Sequence, residues 1–126
     1  MPIVYRIDPA AGLLETACQG NVALEEVLQH FAELGTLTLP PRLDVLLDLS
    51  DLTSLPDSGQ IRIAADTLAG LRNRTSWGVC AVVAKQDVIF GLSRMFGVYA
   101  EQVFSRVHVF REPDEAKRWL AKGAPG

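Results

Sequence analysis

The run Leu46-Leu47-Asp48-Leu49-Ser50-Asp51-Leu52-Thr53-Ser54-Leu55-Pro56-Asp57-Ser58-Gly59 carries an apolar strand into a polar turn and then into an amphipathic helix. A serine hydroxyl at that helix start lies at the positive end of the dipole, beside backbone N–H groups with no partner inside the helix. A phosphate is electrostatically welcome there. Phosphorylation of Ser58 would add a charge of about −1.5 to −2 and three acceptor oxygens to a surface a partner reads. The same residues also read as a helix cap. Either Asp57 caps, with Gln60 answering in a capping box, or Ser54 caps, with Pro56 in the first turn and Asp57 three residues on. Either cap contributes roughly 1 kcal/mol and needs no kinase. Asp57 also disfavours a doubly charged neighbour.

Other chemistry-bearing residues are sparser. Glu26, His30 and Glu33 fall at i, i+4 and i+7, a spacing metal ligands can take. The same spacing makes a solvated polar helix face, and no cysteine or second histidine is near in sequence. No metal or other cofactor is therefore expected. His108 alternates with Val107 and Val109 and should point to the opposite face of its strand, as a structural histidine. Gly91-Leu92-Ser93-Arg94-Met95 opens like a nucleophile elbow but lacks the closing glycine and lies in a helical pattern, so Ser93 is not expected to be a nucleophile. Neither a dinucleotide fingerprint nor a Walker sequence is present. With no nucleophile–base pair in view, the residues point away from an enzyme.

Composition narrows the partners. Twelve Lys and Arg against fifteen Asp and Glu give a formal net charge of −3, which speaks against a nucleic-acid backbone as ligand. The one basic run, Arg72-Asn73-Arg74, follows a helical pattern, where cations suit a helix C-terminus. Cys18 and Cys80 each sit in an apolar strand pattern, as expected for buried free thiols in a reducing cytoplasm. No charged segment leading into an apolar stretch opens the chain, so no secretory signal is expected. The run from Val79 to Ala84 is far too short for membrane insertion.

These residues need a scaffold, and 126 residues suffice for one domain. Ile3, Tyr5 and Ile7 alternate in a first strand, Pro9-Ala10-Ala11-Gly12 reads as a tight turn, and Leu13 to Gln19 completes an opening β-hairpin. Leu24, Val27, Leu28, Phe31 and Leu34 recur at helical spacing, with Glu25, Glu26, Gln29, His30 and Glu33 on the other face. Leu43 to Leu49 and Gly78 to Ala84 are strands apolar on both faces. Between them, Ile61, Ala64, Ala65, Leu68 and Leu71 mark a second helix. A long helix is expected from Gln86 to about Phe104, with Val88, Leu92, Met95, Tyr99 and Val103 on its main face. A short strand, Val107 to Phe110, precedes a last helix beginning at Pro113. The expected architecture is α/β: one domain over 1–122, a mixed sheet of about five strands with about four helices, and a flexible tail over 123–126.

That order, with Leu47-Asp48-Leu49-Ser50 and Asp57-Ser58-Gly59, resembles the STAS superfamily, the SpoIIAA-like or anti-sigma-factor-antagonist domains. The family pattern runs D-L-S-x-h-x-x-h-D-S-S-G, where h is apolar. Asp48-Leu49-Ser50, Leu52, Leu55 and Ser58-Gly59 match it without gaps, whereas Pro56 replaces its Asp and Asp57 its first Ser. The residues after the glycine, Gln60-Ile61-Arg62, also depart from the pattern. The resemblance implies a bacterial signalling module that docks an anti-sigma-factor or kinase-like protein, with Ser58 as phosphoacceptor and Asp48, Ser50, Asp57 and Gly59 around the docking surface. Ala81-Val82-Val83-Ala84, Gly91-Leu92-Ser93-Arg94-Met95-Phe96, Val109-Phe110 and Glu115-Ala116 with Trp119-Leu120 look like an uncharacterised bacterial SpoIIAA-like branch related to lipid-carrying SEC14-type domains. That implies a carrier or sensor of a small apolar ligand as the alternative.

The long helix poses the second surface question. Ile89, Phe90, Phe96 and Val98 are apolar beyond its expected main stripe, and Gly91 and Gly97 would allow close approach. The surplus apolar surface, with Phe90, Phe96, Met95 and Tyr99 as candidate residues, serves a broad core contact, a homodimer seam or a pocket for a hydrophobic ligand.

Overall fold

The computed structural model describes residues 2–122; the tail expected over 123–126 lies outside them. Strand β1 (Ile3–Asp8) pairs antiparallel with β2 (Leu13–Gly20). The turn between them is held by the Asp8 carboxylate, which accepts from the backbone N–H of Ala10 and Ala11, each at 3.1 Å. Gly12 closes the turn at φ 62°, and a Cβ there would stand 3.1 Å from the Arg42 carbonyl oxygen. A glycine is needed on both counts.

From β2 onward the chain alternates. Helix α1 (Leu24–Thr36) leads to β3 (Arg42–Leu52), α2 (Ser58–Ala69) to β4 (Ser76–Val83), and α3 (Asp87–Tyr99) to β5 (Arg106–Phe110). Helix α4 (Pro113–Ala121) follows. The sheet has five strands in the order β1-β2-β3-β4-β5, and all pairs after the hairpin are parallel. Helices α1, α2 and α3 lie side by side over one face, packed on Leu14, Val45, Cys80 and Val82. Helix α4 covers the other face, where Ala116 meets Leu46, Ala81 and Val83. Both faces of β4 are thus covered, which explains its unbroken apolar sequence.

Two irregularities in β3 matter. Its register against β4 shifts between Leu43 and Val45, and Asp44 Oδ1 accepts the N–H of Val79 there at 3.0 Å. A Cβ on Gly78 would fall 2.0 Å from that carboxylate oxygen, so glycine is required by the close approach. Farther along, the register against β2 shifts between Ala17 and Gln19. Opposite that shift, Asp48 Oδ1 accepts from the Ser50 N–H at 2.9 Å and the Ser50 hydroxyl at 2.6 Å.

The long helix differs from expectation in length and orientation. It ends at Tyr99 and tightens into a 3-10 turn, Ala100–Gln102. The expected main face is not the buried one. Val88 is 56% exposed and Met95 36%, and Leu92 and Tyr99 are only half-buried. The helix instead buries Ile89, Ser93 and Gly97. Gly97 lies close against β5, where an added Cβ would meet Val107 Cγ1 at 3.2 Å. Arg111, just after β5, fixes the start of α3: it donates to Asp87 Oδ1 at 2.6 Å and to the Lys85 carbonyl at 3.0 Å, and lies 4.2 Å over the Phe90 ring.

Candidate functional site

At the start of α2, Asp57 is the N-cap. Its Oδ1 accepts the Gln60 N–H at 2.8 Å, and Gln60 Oε1 accepts the Asp57 N–H at 3.0 Å. This reciprocal box satisfies two groups a bare helix end leaves open. Ser54 is not the cap. Its hydroxyl accepts from the Val22 N–H at 2.9 Å and donates to the Val22 carbonyl at 3.2 Å, tying the β3–α2 turn to the β2–α1 turn. Ser58 is exposed, and among the described residues its hydroxyl makes no side-chain hydrogen bond. Leu55, three residues earlier, is 58% exposed. Asp48 and Ser50 bond to each other at the register shift, and no hydrogen bond joins them to the Asp57–Gly59 corner among the described residues.

Behind this corner lies a cavity of about 190 Å³, lined by the sheet and by α1, α2 and α3 and partly open to the surface. Its wall is almost wholly apolar, formed by residues such as Leu14, Val45, Leu68, Val82, Leu92 and Phe96, and includes no Asp, Glu, Lys or Arg. Val22, Leu24, Ser54, Pro56 and Gln60 line both the cavity and an outer crevice between the two turns. The Ser54–Val22 clasp therefore sits at the rim of the interior space.

Few polar groups interrupt the wall. His30, 7% exposed, places Nε2 3.2 Å from the Thr16 hydroxyl. Burial pushes its imidazole below the ordinary value of 6.5, with the Glu33 carboxylate acting in the opposite sense. Ser93 is 4% exposed. Among the described residues, His30 Nδ1 and Ser93 Oγ are buried without a hydrogen-bond partner. Cys18 and Cys80 also line the cavity, and burial pushes their thiols up to about 11 and about 12. They are protonated at neutral pH, hence poor nucleophiles. Thr16 and His30 form a hydroxyl–imidazole pair, but no carboxylate orients the ring through Nδ1, which a hydrolytic triad needs.

The sequence-predicted residues are distributed unevenly. Phe96 lines the cavity, whereas Phe90 packs beside Ile89 under Arg111, and Tyr99 is half-buried with the Arg62 guanidinium 5.7 Å from its ring centre. Met95 lies on the exposed side of α3. His30 leaves the polar face expected for it and turns into the core. Glu26 instead accepts the Ala23 N–H at the start of α1, at 2.9 Å. Among the described residues, no group of three or more His, Cys, Asp and Glu is placed to hold a metal. His108 does point away from Val107 and Val109, onto the α4 side, where its ring lies 5.6 Å from that of Trp119.

Thr16, His30 and Ser93 were not expected to share a site, yet each carries a signal. His30 follows Val27 by three and precedes Leu34 by four, inside the apolar stripe. Thr16 alternates in phase with Leu14 and Cys18, and Ser93 follows Ile89 by four. A polar residue at a core phase is the pattern to look for.

No protein-family model matches the chain, and no curated protein matches it. Among the described residues, no helix is long and apolar enough to cross a membrane. Two solved structures are similar over most of their length. One is an uncharacterised protein of the DUF3478 family from Shewanella loihica PV-4, described as having a SpoIIAA-like fold. It is 16% identical, with 94% of this chain and 93% of that one covered, at a TM-score of 0.61. The other is an anti-sigma factor antagonist from Mycobacterium paratuberculosis, also 16% identical, with 94% of each chain covered and a TM-score of 0.57. Among the described residues, the mixed five-stranded sheet and its four α-helices, together with these two likenesses, give this chain a SpoIIAA-like fold.

Proposed function

We propose that the protein is a non-catalytic, cytoplasmic regulatory module that docks a protein partner through the turn from Ser54 to Gly59. The partner resembles an anti-sigma factor or its kinase, and phosphorylation of Ser58 switches the docking. The observation that carries this reading is the division of labour at the start of α2. Asp57 and Gln60 do the capping, which leaves Ser58 exposed with its hydroxyl uncommitted. Leu55, three residues before it in the turn, is exposed and offers an apolar contact. The likeness to an anti-sigma factor antagonist supports the same direction. Phosphate on Ser58 would put a second negative group beside the Asp57 carboxylate, repelling an acidic docking face and imposing a desolvation cost on an apolar one.

The test has two arms. Mass spectrometry of the chain recovered from its own cells should find phosphate on Ser58. The proteins it captures there should include one with a kinase-like or anti-sigma domain, lost with Ser58→Asp and kept with Ser58→Ala. Absence of phosphate and identical captured proteins for both variants would overturn the reading.

A second reading is favoured by the cavity: a carrier or sensor of a small hydrophobic ligand, held between α3 and the sheet. The space lies under Leu92 and Phe96 of α3 and bears no charge on its wall.

A further inference from the structure

We propose that the turn from Ser54 to Gly59 couples the cavity to the docking surface: a small apolar molecule inside holds the turn in its docking shape. The inference rests on both readings above and joins them, making the docking turn the reporter of what the cavity holds.

Burial alternates along this turn. Ser54, Pro56 and Gln60 are half-buried and line the cavity, whereas Leu55, Asp57 and Ser58 are exposed. One short stretch of backbone is therefore inner wall and outer face at once, and neither side can move alone. Gln60 serves both. It closes the cap with Asp57 through its N–H and its Oε1, and it also lines the cavity.

The turn is held down lightly. The Ser54 hydroxyl meets the Val22 N–H at 2.9 Å and the Val22 carbonyl at 3.2 Å, and the Thr53 N–H donates to the Gly20 carbonyl at 2.9 Å. Each such bond contributes only about 0.5–1.5 kcal/mol net, so the clasp can open without unfolding the domain. Beneath it lies open space where a packed core would otherwise support the turn. A molecule in that space touches Val22, Pro56 and Gln60 while the turn is closed and loses those contacts when it opens. That difference biases the turn towards its closed form. The linkage is reciprocal: a partner that grips Leu55 and Ser58 in the closed form tightens ligand binding by the same factor.

Toluene is the probe, with its Kd measured by calorimetry on the full chain. Amide hydrogen exchange is then followed by NMR at Val22, Asp57 and Gln60, whose N–H groups donate to Ser54 Oγ, Gln60 Oε1 and Asp57 Oδ1. A ligand that binds only the closed turn slows exchange through the open one by a factor of 1 + [L]/Kd. Toluene at about ten times its Kd should therefore slow all three amides roughly tenfold. The amides of Ala10 and Ala11, bonded to Asp8 in the β1–β2 turn and not part of the cavity wall, should keep their rates. Slowing at Val22 alone, at none of the three, or equally at Ala10 and Ala11 overturns the coupling and leaves the carrier reading standing. Failure of toluene to bind at millimolar concentration overturns both. None of these outcomes needs a partner, so the docking reading stands or falls on its own test.

Discussion

At the scale of single residues, Asp57 and Ser58 stand side by side but carry different loads. Asp57→Ala removes the acceptor for the Gln60 N–H and should lower stability by about 1 kcal/mol, read as a lower urea midpoint at constant slope. Ser58→Ala touches no recorded bond and should stay within about 0.5 kcal/mol of the parent. A Ser58→Ala loss as large as that of Asp57→Ala would show the serine to be structural. The sequence allowed two caps because Ser54 and Asp57 both carry suitable side chains at suitable spacings. What separates them is Ser54's bond to Val22, 32 residues away, which no local spacing reveals. His30 supplies a second prediction at this scale. Burial lowers its folded-state value, so between that value and 6.5 the unfolded chain binds more protons than the folded one. Stability from this residue is complete above 6.5 and declines as the pH falls below it. Melting temperatures taken from pH 8 down to pH 5.5 should fall more steeply for the parent than for His30→Phe, which cannot titrate. Parallel curves would remove His30 from the balance.

At the scale of elements, most of the order was legible because the hairpin alternates with period two while α1 and α2 repeat with the helical period. The face of α3 was not. Apolar residues occur all around that helix, so periodicity could not choose between Val88-Leu92-Met95 and Ile89-Ser93-Gly97. The true face contains a serine and a glycine, which a search for large apolar residues discounts. Its reasons are tertiary: Ser93 borders a cavity, and Gly97 lies against Val107. The pairing of β3 with β4 has a similar hidden condition. Gly78 looks like an ordinary break at the start of a strand, but its missing side chain is where the Asp44 carboxylate lies on its way to the Val79 N–H. Gly78→Ala should displace that carboxylate and leave a backbone donor unpaired, at a cost of about 1–3 kcal/mol. Hydrogen exchange should place the loss at the start of β4, with faster exchange of the Val79 amide. Unchanged exchange there would mean that the pairing does not depend on Asp44.

At the scale of the whole molecule, the cavity sets an internal conflict between stability and occupancy. Three helices laid over a mixed sheet should close on its apolar face, yet some 190 Å³ stays open between them. At about 24 cal/mol per Å³, a closed void of that size would cost roughly 4–5 kcal/mol against a filled core, an upper bound for a space that is partly open to the surface. That is a large fraction of the roughly 5–15 kcal/mol that holds a domain of this size together. The layers around it are well packed: β4 is buried along nearly its whole length, and Ala116 of α4 sits fully buried on the opposite face. The looseness is thus confined to one side of the sheet, beneath the helix-start corner where Ser58 lies. Filling the space should therefore strengthen the empty chain. Ala64→Leu, on the α2 wall, adds three carbons and should raise stability by about 1–2 kcal/mol, as a higher urea midpoint with unchanged slope. The same substitution should weaken the binding of small apolar probes such as toluene, because it removes volume from the cavity. A destabilised Ala64→Leu would mean that the helices already close on that position. A stabilised variant that still binds such probes at parental strength would put their site elsewhere on the molecule.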